Sequence, residues 1–113
     1  MKILVVDDEQ LVRWFLDKAL TKSGHEVITV SNISDASEKL KTDEIDIVFL
    51  DLRMSEGSGQ ELIKQMEDLS IKPKVVVCSA YITSEMEEEF RNKGISILRK
   101  PFKLEELNKV VQQ

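Results

Sequence analysis

The chain is short of the residues that most metal and redox sites are made from. Cys78 is its only cysteine, so no internal disulfide and no thiolate zinc cluster can form. His25 is its only histidine, which excludes a multi-histidine metal centre. No apolar run approaches the ~20 residues that a membrane-spanning helix needs. The opening stretch Met1-Lys2-Ile3-Leu4-Val5-Val6 meets two aspartates before it reaches the length of a signal-peptide core. A soluble, cytoplasmic domain is expected. Positive charge is also in deficit: the formal net charge of −5 argues against electrostatic binding of nucleic acid or anionic membrane by this domain itself. No glycine-rich turn follows the first apolar run, which excludes a dinucleotide-binding unit. Repeats, low-complexity segments and internal linkers are missing too.

What remains is ordinary globular material: 113 residues, 42% hydrophobic and 33% charged, enough for one core and too little for two. The organising stretch is Ile47-Val48-Phe49-Leu50, four consecutive apolar residues ending at Asp51. Such a run is too short for a helix and reads as a strand buried on both faces. Residues 2–6, 26–30, 74–78 and 95–98 give four further strands.

Between them lie helical patterns. Leu11, Val12, Phe15, Leu16, Ala19 and Leu20 form the inward face of a first helix, stopped by Gly24. Ile33, Ala36 and Leu40 mark a second, opened by Ser34. Ser58 with Glu61 caps a third, faced by Leu62, Ile63, Met66 and Leu69. Ser84 with Glu87 caps a fourth, with Met86 and Phe90 inward and Gly94 as its stop. Leu104, Leu107, Val110 and Val111 line a fifth.

Strict strand–helix alternation predicts an α/β fold: a doubly wound, five-stranded parallel sheet with helices on both faces. The chain stops within or just after a short fifth helix, so residues 1–113 are expected to be one domain, the N-terminal part of a longer protein, with a short stand-alone protein as the alternative.

If the strand order is 2-1-3-4-5, four strand ends meet at the topological switch point. They bring Asp7 and Asp8, Asp51, Ser79-Ala80, and Lys100-Pro101. Two carboxylates about 5 Å apart repel by roughly 3 kcal/mol at an effective dielectric near 20, so three together call for a cation. An oxygen-only donor set suits magnesium. With Lys100 as a fixed positive charge and Ser79 as a hydroxyl donor, the set suits a phosphoryl group carried on a carboxylate nucleophile.

These residues carry a resemblance. Val5-Val6-Asp7-Asp8-Glu9, Asp51-Leu52-Arg53-Met54 with Gly59 beyond it, Ser79-Ala80 and Lys100-Pro101-Phe102 resemble the receiver domain of bacterial two-component response regulators, which has a flavodoxin-like fold. The resemblance implies that Asp51 accepts phosphate from the phosphohistidine of a sensor histidine kinase or phosphotransfer protein. It implies that Asp8, Asp51 and the Arg53 backbone carbonyl ligate Mg2+, with Asp7 acting through water. Ser79 and Lys100 contact the phosphoryl group, and the Lys100-Pro101 peptide is cis. It implies a signalling switch rather than an enzyme, its chemistry confined to its own phosphorylation and dephosphorylation. The readout is a change on the helix 4, strand 5, helix 5 face that controls an output domain, often a transcription regulator, or a partner or homodimer.

Three positions depart from the family pattern. Ser55 stands in place of a proline, which predicts a less rigid loop. Ile97 stands in place of a switch aromatic, and Lys103 in place of a small polar residue before helix five. Two rival readings exist. An aspartate-nucleophile phosphohydrolase would need a second Asp where Arg53 stands, and a pseudo-receiver would lack part of the site. His25 reads as a surface residue, Cys78 as a buried hydrophobe, and Glu85, Glu87, Glu88 and Glu89 as a wet helix face. Trp14 is expected at the edge of helix one and partly exposed, packed against a neighbouring helix or, as the alternative, serving as an anchor for a partner.

Overall fold

A computed structural model describes residues 1–69 and 72–112. Strands and helices alternate along it without exception. They run β1 (Lys2–Val6), α1 (Gln10–Lys22), β2 (Glu26–Val30), α2 (Ile33–Thr42), β3 (Ile47–Asp51), α3 (Gly59–Asp68), β4 (Lys74–Ser79), α4 (Ser84–Asn92), β5 (Ser96–Arg99) and α5 (Leu104–Gln112). The five strands form one sheet in the order β2-β1-β3-β4-β5. Every pairing in it is parallel. The chain reverses its winding direction between β1 and β3, the expected switch point. None of the described helices is long and apolar enough to cross a membrane.

Alternation of side chains along each strand sorts the core into two layers. Leu4, Val6, Val48, Leu50 and Val77 face α2, α3 and α4, meeting Ala36, Leu40, Leu62, Met66 and Phe90. Ile3, Val5, Ile47, Phe49, Val76, Cys78 and Leu98 face α1 and α5, meeting Leu16, Leu20, Leu107 and Val110. Ile47 to Leu50 are buried throughout, as a strand covered on both faces must be.

Two helix starts differ from the sequence expectation. Asn32, not Ser34, caps α2, its side chain accepting from the Asp35 N–H. Thr83, not Ser84, caps α4 by accepting from Met86. In both places capping residues crowd together, and the extended backbone of Asn32 and Thr83 selects the donor's partner. Ser58 caps α3 as expected.

Several apolar residues assigned inward are exposed. Leu11 is 79% accessible, because the buried stripe of α1 runs through Leu16 and Leu20, and Trp14, expected at the edge of that face, is 60% accessible. Leu69 and Leu104 each stand half exposed at a helix end, Leu69 as the C-cap of α3 and Leu104 as the first residue of α5. Lys103 still helps to open α5: its backbone N–H donates to Glu106 Oε1 at 3.0 Å, half of a capping box without the serine.

Candidate functional site

The carboxyl ends of β1 and β3 lie side by side, with Val6 paired to Leu50, so the next residue of each strand enters the same crevice. Asp7, Asp8 and Asp51 each place a carboxylate oxygen within 4.8 Å of the others. Asp7 and Asp51 are buried and Asp8 is half buried. One fixed positive charge reaches two of the three from the end of β5. Lys100 Nζ lies 2.8 Å from Asp7 Oδ2, 3.4 Å from Asp51 Oδ2 and 3.2 Å from Glu9 Oε1. The Lys100-Pro101 peptide is cis, as the resemblance implies.

Charge and burial compete here. Desolvation raises the Asp51 pKa, and the neighbouring Asp7 adds to it, against the Arg53 N–H and Lys100, which lower it. Desolvation also weakens the charged form of Lys100, but hydrogen bonds and charge from Asp7, Asp51 and Glu9 outweigh it and hold the ammonium above the ordinary lysine range. Burial pushes the Cys78 thiol far up, so it stays a neutral hydrophobe in β4, as expected.

Backbone donors fix each carboxylate. Asp7 Oδ1 accepts from the Glu9 N–H at 2.9 Å, so with Lys100 on Oδ2 both its oxygens are engaged. Asp51 Oδ1 accepts from the Arg53 N–H at 3.1 Å. Asp8 Oδ2 accepts from the Ser55 N–H at 2.9 Å. A proline at 55 has no such donor, so the departure that predicted a looser loop supplies a tether to Asp8 instead. Gly59 packs the start of α3 against β3: a Cβ there would stand 2.6 Å from the Asp51 carbonyl oxygen.

Ser79 is buried at the end of β4, its hydroxyl turned to its own loop. It donates to the Tyr81 carbonyl at 3.3 Å and accepts from the Tyr81 N–H at 3.1 Å. Among the described residues, no buried side-chain nitrogen or oxygen lacks a partner.

The structure adds contacts that the sequence reading did not place. Glu9 belongs to the motif, but its bond to Lys100 spans the whole chain. Arg13 Nη1 donates to the Asp7 carbonyl at 2.8 Å, pinning the turn between β1 and α1. The Arg53 guanidinium lies over the Tyr81 ring, 4.9 Å from its centroid, joining the loops after β3 and β4. Glu87 is not merely wet helix surface, since it pairs with Arg91 and with Arg99 of β5. His25 is half buried beside the N-terminal amine, remote in sequence and place from the carboxylates.

The donor set is oxygen only, which suits a hard divalent ion better than the softer transition metals. Beside it runs a groove of about 450 Å3 lined by Leu11, Phe15, Lys100, Pro101 and Phe102 among others.

Comparison with known proteins places this geometry. A family profile described as the response regulator receiver domain matches residues 3–112. The chemotaxis protein CheY of Thermotoga maritima is 36% identical, over 96% of this chain and 96% of that protein. The sensory transduction protein LytR of Staphylococcus haemolyticus is 34% identical, but this chain spans only 44% of its length. Among solved structures, the Thermotoga maritima response regulator TrrA in complex with Mg2+-BeF superposes with a TM-score of 0.84 at 29% identity, over 98% of this chain and 96% of that one.

Proposed function

The chain belongs to the response regulator receiver domain family, and from that premise we propose that Asp51 accepts a phosphoryl group from a histidine kinase or phosphotransfer protein and thereby switches the domain. The observation that carries the reading is the convergence of three strand ends: a carboxylate triad within 4.8 Å, two of whose members, Asp7 and Asp51, are bridged by Lys100.

Transfer breaks the P–N bond of the donor phosphohistidine as an Asp51 oxygen bonds to phosphorus, and the electron pair leaves with the imidazole nitrogen. Lys100 offsets charge on the transferring oxygens and Ser79 can donate to one of them. Asp8, Asp51 and the Arg53 carbonyl are the groups to hold Mg2+, which when bound neutralises charge on those same oxygens. Asp7 holds Lys100 more closely than Asp51 does, 2.8 Å against 3.4 Å, which suits a role through water. The exposed Leu11, in the groove beside Lys100, suits a protein donor.

The phosphohydrolase reading is weaker. It needs an acid/base at position 53, where the structure has a guanidinium stacked on Tyr81. The readout we propose is movement of residues 79–84 and α4, altering the α4–β5–α5 face. That face then controls an output domain, such as a transcription regulator, or a homodimer, in the cytoplasm. Ile97 is half buried against the α4 side of the core and lacks the ring of a switch aromatic, so the loop and α4 carry the change. Adding Mg2+ and beryllofluoride tests this by amide NMR. Away from the site the largest shifts are expected between Ser79 and Gly94; largest shifts on α1 and α2 instead would contradict the route.

A further inference from the structure

Arg99 is the register partner of Ser79 across β4 and β5, so both side chains leave the same face of the sheet. From there the guanidinium reaches two targets. Its Nη2 donates to Glu87 Oε2 at 2.8 Å, and its Nη1 donates to the Ile82 carbonyl at 3.3 Å. Glu87 sits in the first turn of α4, and its other carboxylate oxygen accepts from Arg91 at 3.2 Å. One β5 side chain therefore ties down both the start of α4 and the backbone of the loop leading into it.

That loop holds Ser79 in place. The Ser79 hydroxyl is engaged at both ends by the Tyr81 backbone, and Tyr81 immediately precedes the carbonyl that Arg99 grips. To donate to a phosphoryl oxygen on Asp51, the hydroxyl has to leave the Tyr81 carbonyl. As Oγ moves toward Asp51, the Tyr81 N–H loses its acceptor as well, and the 80–83 backbone must find a new arrangement.

We propose that Arg99 is a positioning residue that latches the β4–α4 loop in its unphosphorylated arrangement, through Ile82 and Glu87, so that Ser79 turns toward the phosphoryl group only by working against that latch. The proposal rests on Asp51 being the phosphoryl acceptor. Its size follows from exposure. Arg99 and Glu87 side chains are 52% and 40% accessible, so water screens the pair, and its loss should shift the switching equilibrium by about two- to five-fold. Such a latch tunes the switch without locking it.

The test titrates Mg2+-beryllofluoride into the chain and into Arg99→Gln, Glu87→Gln, the double variant and Arg91→Gln, following amide shifts near Asp51 and melting each variant alongside. Arg99→Gln and Glu87→Gln should each bind about two- to five-fold more tightly than the parent, with melting temperatures at or slightly below it. The double variant should bind no more tightly than Arg99→Gln, because Arg99→Gln already removes the contact with Glu87. Arg91→Gln should match the parent, since its bond to Glu87 stays inside α4. A merely structural Arg99 would lower stability without raising affinity. Unchanged or weaker binding by Arg99→Gln, with normal binding by the parent, overturns the latch. Failure of the parent itself to bind contradicts the acceptor assignment, and the latch falls with it.

Discussion

Lys100 Nζ stands 2.8 Å from Asp7 Oδ2, and that contact joins the first strand of the sheet to the last turn of backbone before α5. Asp7 is almost fully buried and Lys100 nearly so. Removing one partner of a buried pair leaves the other uncompensated, which typically costs about 3–5 kcal/mol. Lys100→Ala should therefore lower metal-free stability by about 2–4 kcal/mol, the lower range reflecting the Lys100 side chain's residual exposure, and Mg2+ should restore part of it. Phosphorylation of Asp51 should largely survive while the shifts in α4 are lost. Chemical denaturation with and without Mg2+ measures the first effect. Unchanged stability would mean that the pair does not matter.

The same contact sets an alkaline limit. Lys100 has a folded-state pKa raised above its unfolded value, so its contribution is fully present below the ordinary lysine pKa of about 10.4. It is lost as pH climbs through the raised folded value. Wild-type stability should fall in that window more steeply than that of Lys100→Met, which has no proton to lose there. Parallel alkaline slopes in melts of the two proteins would contradict this.

Asp51 has the opposite consequence. Its folded pKa is raised chiefly by desolvation, so the folded chain keeps this proton to higher pH than the unfolded chain does. Stability falls as pH rises through that window, and above it the carboxylate is a full liability. Asp51→Asn keeps an oxygen for the Arg53 N–H and removes the charge. It should be more stable than wild type by about 1 kcal/mol at neutral pH without metal, with a flatter slope on the acid side. Thermal melts across pH decide, and a less stable Asn variant would show that the charge is well compensated.

Gly59→Ala should be costly for a local reason. The new methyl would meet the Asp51 carbonyl at 2.6 Å and both Leu50 Cγ and Leu52 Cα at 3.0 Å, two of these three atoms being backbone. Overpacking of this kind costs about 1–3 kcal/mol. Relief requires α3 to lift from β3, so Mg2+ affinity should fall as well. Gly24→Ala serves as contrast, since its Cβ would meet nothing within 4 Å and only the positive φ of 93° resists it. Equal melting temperatures for Gly59→Ala and wild type would contradict the packing argument.

The fold was legible because two periods dominate the sequence. Ile47 to Leu50 could only be a doubly covered strand, and the alternation around it fixed a parallel sheet whose strand ends collect Asp7, Asp51, Ser79 and Lys100. Caps were missed by one or two positions, at Asn32 and Thr83, because neighbouring Ser, Thr and Asn offer the same oxygen and only backbone angles choose among them. Leu11 and Leu104 looked inward because periodicity assigns a face without saying whether anything covers the helix's first turn. The bonds of Glu9 to Lys100, Ser55 to Asp8 and Arg99 to Ile82 were not legible at all. They join residues far apart in sequence, or they use backbone groups that every residue possesses.

The central claim is that Asp51 is a metal-dependent phosphoryl acceptor. Its most direct test is incubation with acetyl phosphate, with and without Mg2+, followed by intact mass and by mapping of the modified residue. The account predicts one added phosphoryl group, on Asp51, in wild type with Mg2+, and none without the metal or in Asp51→Asn. Labelling that persists without Mg2+, or that lies on any other residue of the wild-type chain, would contradict it.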